Sequence, residues 1–442
     1  MSQLKLKLLI FMKKGLLYFF ILLSISTSAQ VPLTLPNAID TALKNNYDIQ
    51  IAKNNNQINT LNNTYGVAGG LPSLNGTAGA NSSLIDLKQK TSSGINISKN
   101  NVNSKSYNAG VTASLVLFNG FKVIATKQQL SLLQRQSELE LNLQIQTTLA
   151  AIMENYYDIL RQQSYLKIIQ GSLDVSSSKL DIIKEQYKVG MANEADLLQA
   201  EIDLNLAGQN LKSQQLIIDQ DKTSLLQLMA VKQFYPITIS DSIIVDRTIR
   251  EDTIISFLEN NPQYLSAEQQ IRINEQIVRE VRSQRYPSIK INTGYNLTYN
   301  SSSAGFNLFT QNFGPTVGAT MQVPIFNGTI YRTQQEVAQV NVNIARLQKE
   351  SLLTSLKAEA LKTYQSYEST LEQLDSQQKS YLDAERLVNI VLQRFRLKQA
   401  TILDVKAAQE SFENAGYLFV NLQYAAKAAE IELKRLIYRL TY

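Results

Sequence analysis

Residues 316–347 read TVGATMQVPIFNGTIYRTQQEVAQVNVNIARL, and they change period in the middle. Before Pro324, Val317, Ala319, Met321 and Val323 alternate with Thr316, Gly318, Thr320 and Gln322. A period of two with one apolar side marks a strand. After Gly328, Val337, Val340, Ile344 and Leu347 step by 3, 4 and 3 along one side of a helix. Val323-Pro324-Ile325-Phe326-Asn327-Gly328 is the joint between strand and helix.

Upstream of this joint lies the partner strand of a hairpin. Ile289, Ile291, Thr293, Tyr295, Leu297 and Tyr299 share one face, and Lys290, Asn292, Gly294, Asn296, Thr298 and Asn300 the other. A polar loop with Gly305 connects the two strands. Downstream, residues 325–442 contain no proline, and proline is what breaks helix interiors. Ala360, Tyr364, Tyr367, Leu371 and Leu374 continue the seam, and Leu418, Leu422, Ala425, Ala429, Leu433, Leu436 and Leu440 line a last helix. Heptad-like seams of this kind pack as coiled coils.

The same pattern occurs earlier in the chain. Phe118-Asn119-Gly120 returns as Phe326-Asn327-Gly328, 208 residues on, and Tyr187-Lys188-Val189 returns as Phe395-Arg396-Leu397 at the same offset. Asp196-Leu197 then falls on Asp404-Val405. Upstream, Asn45-Asn46 matches Asn260-Asn261 and Leu71-Pro72-Ser73 matches Tyr286-Pro287-Ser288, both at 215. The first copy therefore carries seven extra residues between Pro72 and Phe118, assigned here to a loop. An internal duplication is the simplest explanation. The first copy returns with Ala109, Val111, Ala113, Leu115 and Leu117 against Gly110, Thr112 and Ser114; its outgoing strand, Leu74 to Asn81, is weaker. Strands of about 9–12 residues are expected, the length that crosses a bilayer when tilted. A soluble antiparallel sheet shows the same alternation. The proline-free run 73–235 permits a helix from about 121 to 188, roughly 100 Å long.

This gives the expected organisation: residues 1–29 a signal peptide; 30–234 a first repeat with strands at about 72–118 and a long helical hairpin at 121–234; 235–249 an equatorial connector; 250–442 a second repeat with a helix at 250–286, strands at about 287–324 and a helical hairpin at 328–440. The signal peptide rests on Lys5, Lys7, Lys13 and Lys14, the apolar run Leu16–Ile25 and the small residues Thr27-Ser28-Ala29. Met12-Lys13-Lys14 offers a second start that still leaves a complete signal, and the mature chain is expected to begin at Gln30.

Composition excludes several function classes. The 442 residues include no cysteine, histidine or tryptophan. There is thus no disulfide, no thiolate nucleophile, no zinc–thiolate site, no Ser-His-Asp triad and no histidine proton shuttle. No cofactor or metal is implied, nor is an enzyme. The formal net charge of +6 shrinks to +2 once the four lysines of the signal are removed, which argues against nucleic acid as a partner. Glycine and proline total 26, about half the usual share.

Two hairpins supply four strands, and four cannot close a barrel. Open edges are not tolerated in lipid, so subunits would have to pool strands. Two chains give eight strands and a filled interior, whereas three give twelve and a lumen.

Two hairpins, each leading through Phe-Asn-Gly into a very long helix, resemble the TolC-like outer membrane efflux family over essentially the whole mature chain. The resemblance implies a mainly α protein with a membrane β-barrel: a duplicated, long α-helical barrel plus four strands per chain, pooled into a twelve-stranded homotrimeric barrel. It implies an outer membrane exit duct with a large periplasmic portion. Such ducts serve tripartite efflux or type I secretion, passively conducting small molecules or proteins. The partners would be a periplasmic adaptor and an inner membrane pump of RND or ABC type.

The family's helical tip signature is visible as Tyr187-Lys188-Val189-Gly190 followed by Asp196-Leu197. The resemblance places the family's tip acids on Asp196 and Asp404, the latter in the pore constriction, and Val189-Gly190-Met191 at the adaptor-docking tip. Both acids also fit as first-turn acids of a helix, and Gly190 as a left-handed helix end. The departures concern the latch: the second tip tyrosine is Phe395, the gating arginine position is Ala400, a second ring acid would stand at Ala407, and Lys398 replaces the second tip glycine. A non-conducting periplasmic coiled-coil scaffold is the alternative, and alternating strands are what it would not need.

Overall fold

The computed structural model describes residues 31–440, so the signal peptide expectation lies outside the described residues. The chain runs β1 (Val31–Pro32), α1 (Leu35–Asn45), α2 (Tyr47–Asn62), β2 (Ser73–Lys90), β3 (Asn96–Asn119), α3 (Lys122–Lys188) and α4 (Glu194–Leu228). It then continues β4 (Ile237–Thr238), α5 (Glu251–Phe257), a 3-10 turn, α6 (Pro262–Ser283), β5 (Ser288–Ser302), β6 (Phe309–Gln322), α7 (Ile330–Arg396) and α8 (Ile402–Leu436). The protein is mainly helical and internally duplicated. The two long helices have 67 residues each and their return helices 35 each.

Backbone conformation repeats as faithfully as length. Left-handed residues occur in pairs 208 apart: Gly120 and Gly328, Phe121 and Thr329, Gly190 and Lys398, Ala230 and Tyr438. Each long helix leaves its strand through two successive left-handed residues. At the other end of α3, the Gly190 N–H donates to the Tyr187 carbonyl and the Met191 N–H to that of Gln186. The ends of α4, α7 and α8 carry the same double bond pattern, which satisfies the last carbonyls of a helix.

The expected helix at 250–286 is broken, and so is its counterpart ahead of β2. The break falls at Asn46 in one copy and at Asn261 in the other, repeat mates that are both buried. The Asn46 Oδ1 accepts from the backbone N–H of Asp48 and Ile49, and the Asn261 Oδ1 from that of Gln263. Each asparagine thereby caps the next helix, the use its short side chain favours.

Residues 51–144 and 257–357 form one compact unit, which contains the sheet. Its four strands are antiparallel in the order β2-β3-β5-β6. Val111, Tyr295 and Pro315 stand side by side, as do Ala109, Leu297 and Phe313. On the opposite face Gly110, Asn296 and Gly314 align, then Thr112, Gly294 and Thr316. Alternation within single strands thus becomes one apolar and one polar face of the sheet.

The strands are longer than the 9–12 residues expected: 18, 24, 15 and 14. The seven extra residues of the first copy lengthen the first hairpin and do not form a loop. Periodicity hid this extension, because residues 82–106 are largely polar and a bulge between Ile85 and Leu87 resets the alternation. Tertiary contacts hold it instead. Val102 is buried, the Ser303 N–H donates to the Asn103 carbonyl, and the Phe306 N–H donates to Gln89 Oε1.

The other unit holds residues up to Gln50, Ile145–Ser256 and those from Ala358 onward. The connector contributes β4, which pairs in parallel with β1. The fully buried Tyr156 hydroxyl ties this region together, donating to Asp241 and lying 3.1 Å from the Leu33 carbonyl. The Tyr367 hydroxyl donates to the Asp246 carbonyl. Lys434 pairs with both Asp246 and the buried Glu430. Among the described residues no helix is long and apolar enough to cross a membrane.

Candidate functional site: the two helical turns

The turns between α3 and α4 and between α7 and α8 carry the predicted tip residues. Both belong to the helical unit, and their sequences explain their shape. Helices commonly end in a left-handed residue where the chain turns back, and Gly190 does so at φ +73. Its mate Lys398 adopts φ +60, a conformation that costs a residue with a Cβ about 1–2 kcal/mol. The Arg394 guanidinium donates to the Gln399 carbonyl across the second turn.

The two tip acids are held differently. Asp404 belongs to a complete capping box. Its Oδ2 accepts from the Thr401 N–H at 2.7 Å and the Thr401 hydroxyl at 2.8 Å, while its own N–H donates to Thr401 Oγ1. The backbone and side-chain hydrogen bonds from Thr401 hold the exposed Asp404 carboxyl below the usual carboxylate range. At Asp196 only half of this arrangement forms: Asn193 accepts the Asp196 N–H. No ion pair joins the Asp196 carboxylate to another described residue.

Phe395 is 7% exposed, packed in a cluster with Val391, Val405, Ala408 and Phe412. Without a hydroxyl it needs no polar partner, and it serves as core at the base of the turn. Ala400 packs on the same cluster. Tyr187 stays exposed, as do Val189 at 67% and Met191 at 62%. Sequence reasoning passed over Leu397 and Leu403, two further exposed apolar side chains at the second turn. The sign available was a leucine beside Lys398 and Gln399 in a short turn, a weak one.

Behind the turns a polar cleft of about 290 Å³ runs between α3, α4 and α8. Ser172, Ser176 and Lys179 of α3 are buried in it. Lys179 pairs with Asp203 of α4 at 2.5 Å, Gln409 of α8 donates to Ser172 and Ser176, and Ser172 donates to Glu413. Every partner here is a side chain that periodicity leaves unmarked.

At the opposite ends of the long helices lie the strand-to-helix junctions. Asn119 Oδ1 accepts from the Val123 N–H at 3.3 Å, and Phe118 packs edge-on against Phe121. A Cβ at Gly120 would stand 2.4 Å from the Ser283 carbonyl oxygen. At the second junction Phe326 is exposed, Gly328 has open space around it, and the amide nitrogen of Asn327 is buried without a partner.

Comparison with known proteins bears on all of this. The family profile described as outer membrane efflux protein matches residues 38–231 and again 254–437, one match per repeat. The fold is similar to that of the outer membrane protein VceC of Vibrio cholerae, at 18% identity and a TM-score of 0.73, covering 91% of this chain and 95% of that one. The Campylobacter jejuni CmeC outer membrane channel matches at 16% and 0.74, covering 92% and 85%. The Neisseria gonorrhoeae MtrE outer membrane channel, described in its open state, matches at 16% and 0.70, covering 91% and 88%.

Proposed function

Because the chain belongs to the outer membrane efflux protein family, we propose that it is the exit duct of a tripartite efflux or type I secretion system. Its place is the outer membrane. Three copies would pool their four strands into a twelve-stranded barrel with a wet interior. Small molecules or proteins would pass through it passively, handed over by an inner membrane pump and a periplasmic adaptor.

The observation that carries the reading is the sheet. It has an apolar face, a glycine-rich polar face and two edges, β2 and β6, with no partner strand among the described residues. On β6 the apolar side chains Phe313, Val317 and Met321 are exposed. Unpaired edges and a bare apolar face suit lipid and a neighbouring subunit, since hydrocarbon cannot hydrogen-bond a free strand edge. A scaffold without a pore gives neither feature a role. Tyr107, Tyr299 and Phe309 form an edge-to-face cluster toward one end of the strands, and Phe118 meets Phe121 at the other. These two groups suit the two membrane interfaces.

At the tip, Val189, Gly190 and Met191 form an exposed apolar turn suited to an adaptor, and Asp404 would line the constriction with its three-fold mates. A ring of such carboxylates attracts cations and repels anions. Planar-bilayer recording of the purified protein tests the reading. Step conductances are expected, and a purified, membrane-inserted protein with none would refute it.

A further inference from the structure

A pocket of about 400 Å³ lies where α3 leaves β3 and passes the end of α6. Phe121, Ile124 and Gln128 enter it from the start of α3, and Arg279, Arg282 and Tyr286 from the end of α6 and the turn beyond. Among the described residues no aspartate or glutamate lines it. Elsewhere on α6 charge is matched: Arg272 pairs with Glu268, and Glu275 with Arg346 of α7. The acid beside the pocket, Glu280, is engaged by Lys122 at 3.4 Å. Arg279 and Arg282 form no ion pair with a described residue, and Arg279 reaches only Gln128 and Gln276, each at 3.5 Å. The duplication does not account for these two charges. Their mates at the offset of 215 are Thr64 and Val67. At the second junction the mates of Ile124 and Gln128 are Arg332 and Glu336, which pair with each other at 3.0 Å.

The pocket continues onto the apolar face of the sheet. Phe118, Ile289 and Met321 form the last row of that face, side by side across β3, β5 and β6. The Phe118 ring packs edge-on against Phe121, which lines the pocket. Phe121, Ile124 and Tyr286 are exposed, so an apolar track leads from the two arginines to the face suited to lipid. The start of α3 and the end of α6 both border the pocket. Their opposite end charges offset one another, so the two guanidinium groups set its sign.

We propose that this pocket holds the headgroup phosphate of an anionic glycerophospholipid, with Arg279 and Arg282 on the phosphate and an acyl chain following Phe121 and Phe118 onto the sheet. A guanidinium presents a planar fork of donors that matches phosphate oxygens, and it binds them as charge-assisted hydrogen bonds. Basic pockets at the membrane boundary take phosphorylated lipid headgroups for this reason. A free anion uses the arginines but leaves Phe121 and Ile124 in water, whereas a lipid covers both. The site occurs at the first-repeat junction only, once per chain, and it sets the depth of the strands in the leaflet from which they rise.

The proposal rests on the membrane-barrel reading, since it needs the apolar face of the sheet in lipid. Native mass spectrometry of the full-length protein in detergent, titrated with dioleoylphosphatidylglycerol, tests it. One retained lipid per chain is expected. Arg279→Gln with Arg282→Gln should weaken retention by about tenfold or more. Ile124→Glu keeps both arginines, sets a carboxylate beside them, and should weaken retention likewise. All three positions are exposed, so unheated electrophoresis should show assembly unchanged in both variants. Dioleoylphosphatidylcholine, whose own choline neutralises its phosphate, should be held about tenfold more weakly or less. Equal retention of the two lipids, or retention that neither variant changes, would overturn the proposal. Inorganic phosphate binding the native protein as tightly as the lipid would also overturn it, marking a site for free anions. Missing conductance in planar bilayers would refute the duct reading separately, because the measurement in detergent reads the pocket alone.

Discussion

Gly120 and Gly328 share a sequence, a junction and a backbone conformation, φ +66 and +65, and differ only in surroundings. Replacing either by alanine costs about 1–2 kcal/mol for the left-handed conformation alone. At 120 the new Cβ would lie 2.4 Å from the Ser283 carbonyl oxygen and 2.8 Å from the Tyr286 Cβ. Neither neighbour is the far end of a flexible side chain, so backbone must move, at a further cost of about 1–3 kcal/mol. Gly120→Ala should therefore destabilise the chain by about 2–5 kcal/mol and Gly328→Ala by about 1–2. Urea unfolding in detergent, followed by circular dichroism on the dissociated chain, reads this difference. Unheated electrophoresis reads the second half of the expectation, that Gly328→Ala impairs assembly more than it impairs the chain. Equal urea shifts for the two variants would refute the argument, because the contact with Ser283 would then not be what requires glycine at 120.

Four other outcomes are expected. Lys398→Gly should stabilise the second turn by about 0.5–1 kcal/mol, the left-handed cost less the glycine entropy, read as a longer thermal half-life; a shorter one would show that the lysine side chain holds the turn. Tyr156→Phe removes a hydroxyl that serves Asp241 and should cost about 1–3 kcal/mol in urea unfolding, and no loss would show that the clasp at the connector is slack. Asp404→Asn should weaken block of the conductance by divalent cations in planar bilayers, with unchanged block placing the constriction elsewhere. Because Thr401 lowers the Asp404 pKa, the charge and its contribution to the start of α8 are present above the unfolded value and lost only as pH falls through the lower folded one; cation block should persist down to about pH 4, and its disappearance near pH 6 would contradict the capping geometry.

Much of this architecture was legible in residues 316–347, where period two gives way to 3.6 across Pro324–Gly328. Hydrophobic periodicity reports which face is buried, so it located the hairpins and the long helices. It was silent where polar residues make the structure. The outer halves of β2 and β3 are held by backbone pairing and by the loop at 303–306, and the helix breaks at Asn46 and Asn261 by caps. The tip was legible as position but not as environment. Phe395 reads from sequence as a tyrosine without its hydroxyl, and only packing shows it as core. Asp404 and Asp196 are equivalent in sequence, yet threonine at 401 completes a capping box that asparagine at 193 leaves half made.

The paired helix lengths, 67 and 35 residues in both copies, have a consequence for engineering. From Phe118 to Ala230 and from Phe326 to Tyr438 no residue has been gained or lost by one copy alone, although the first hairpin took seven. The four helices act as a matched ruler. Heptads added to α3 alone would throw its seam out of step with every neighbour, whereas heptads added to all four helices at matching levels keep the seams in phase. Each such step should lengthen the hairpins by about 10.5 Å.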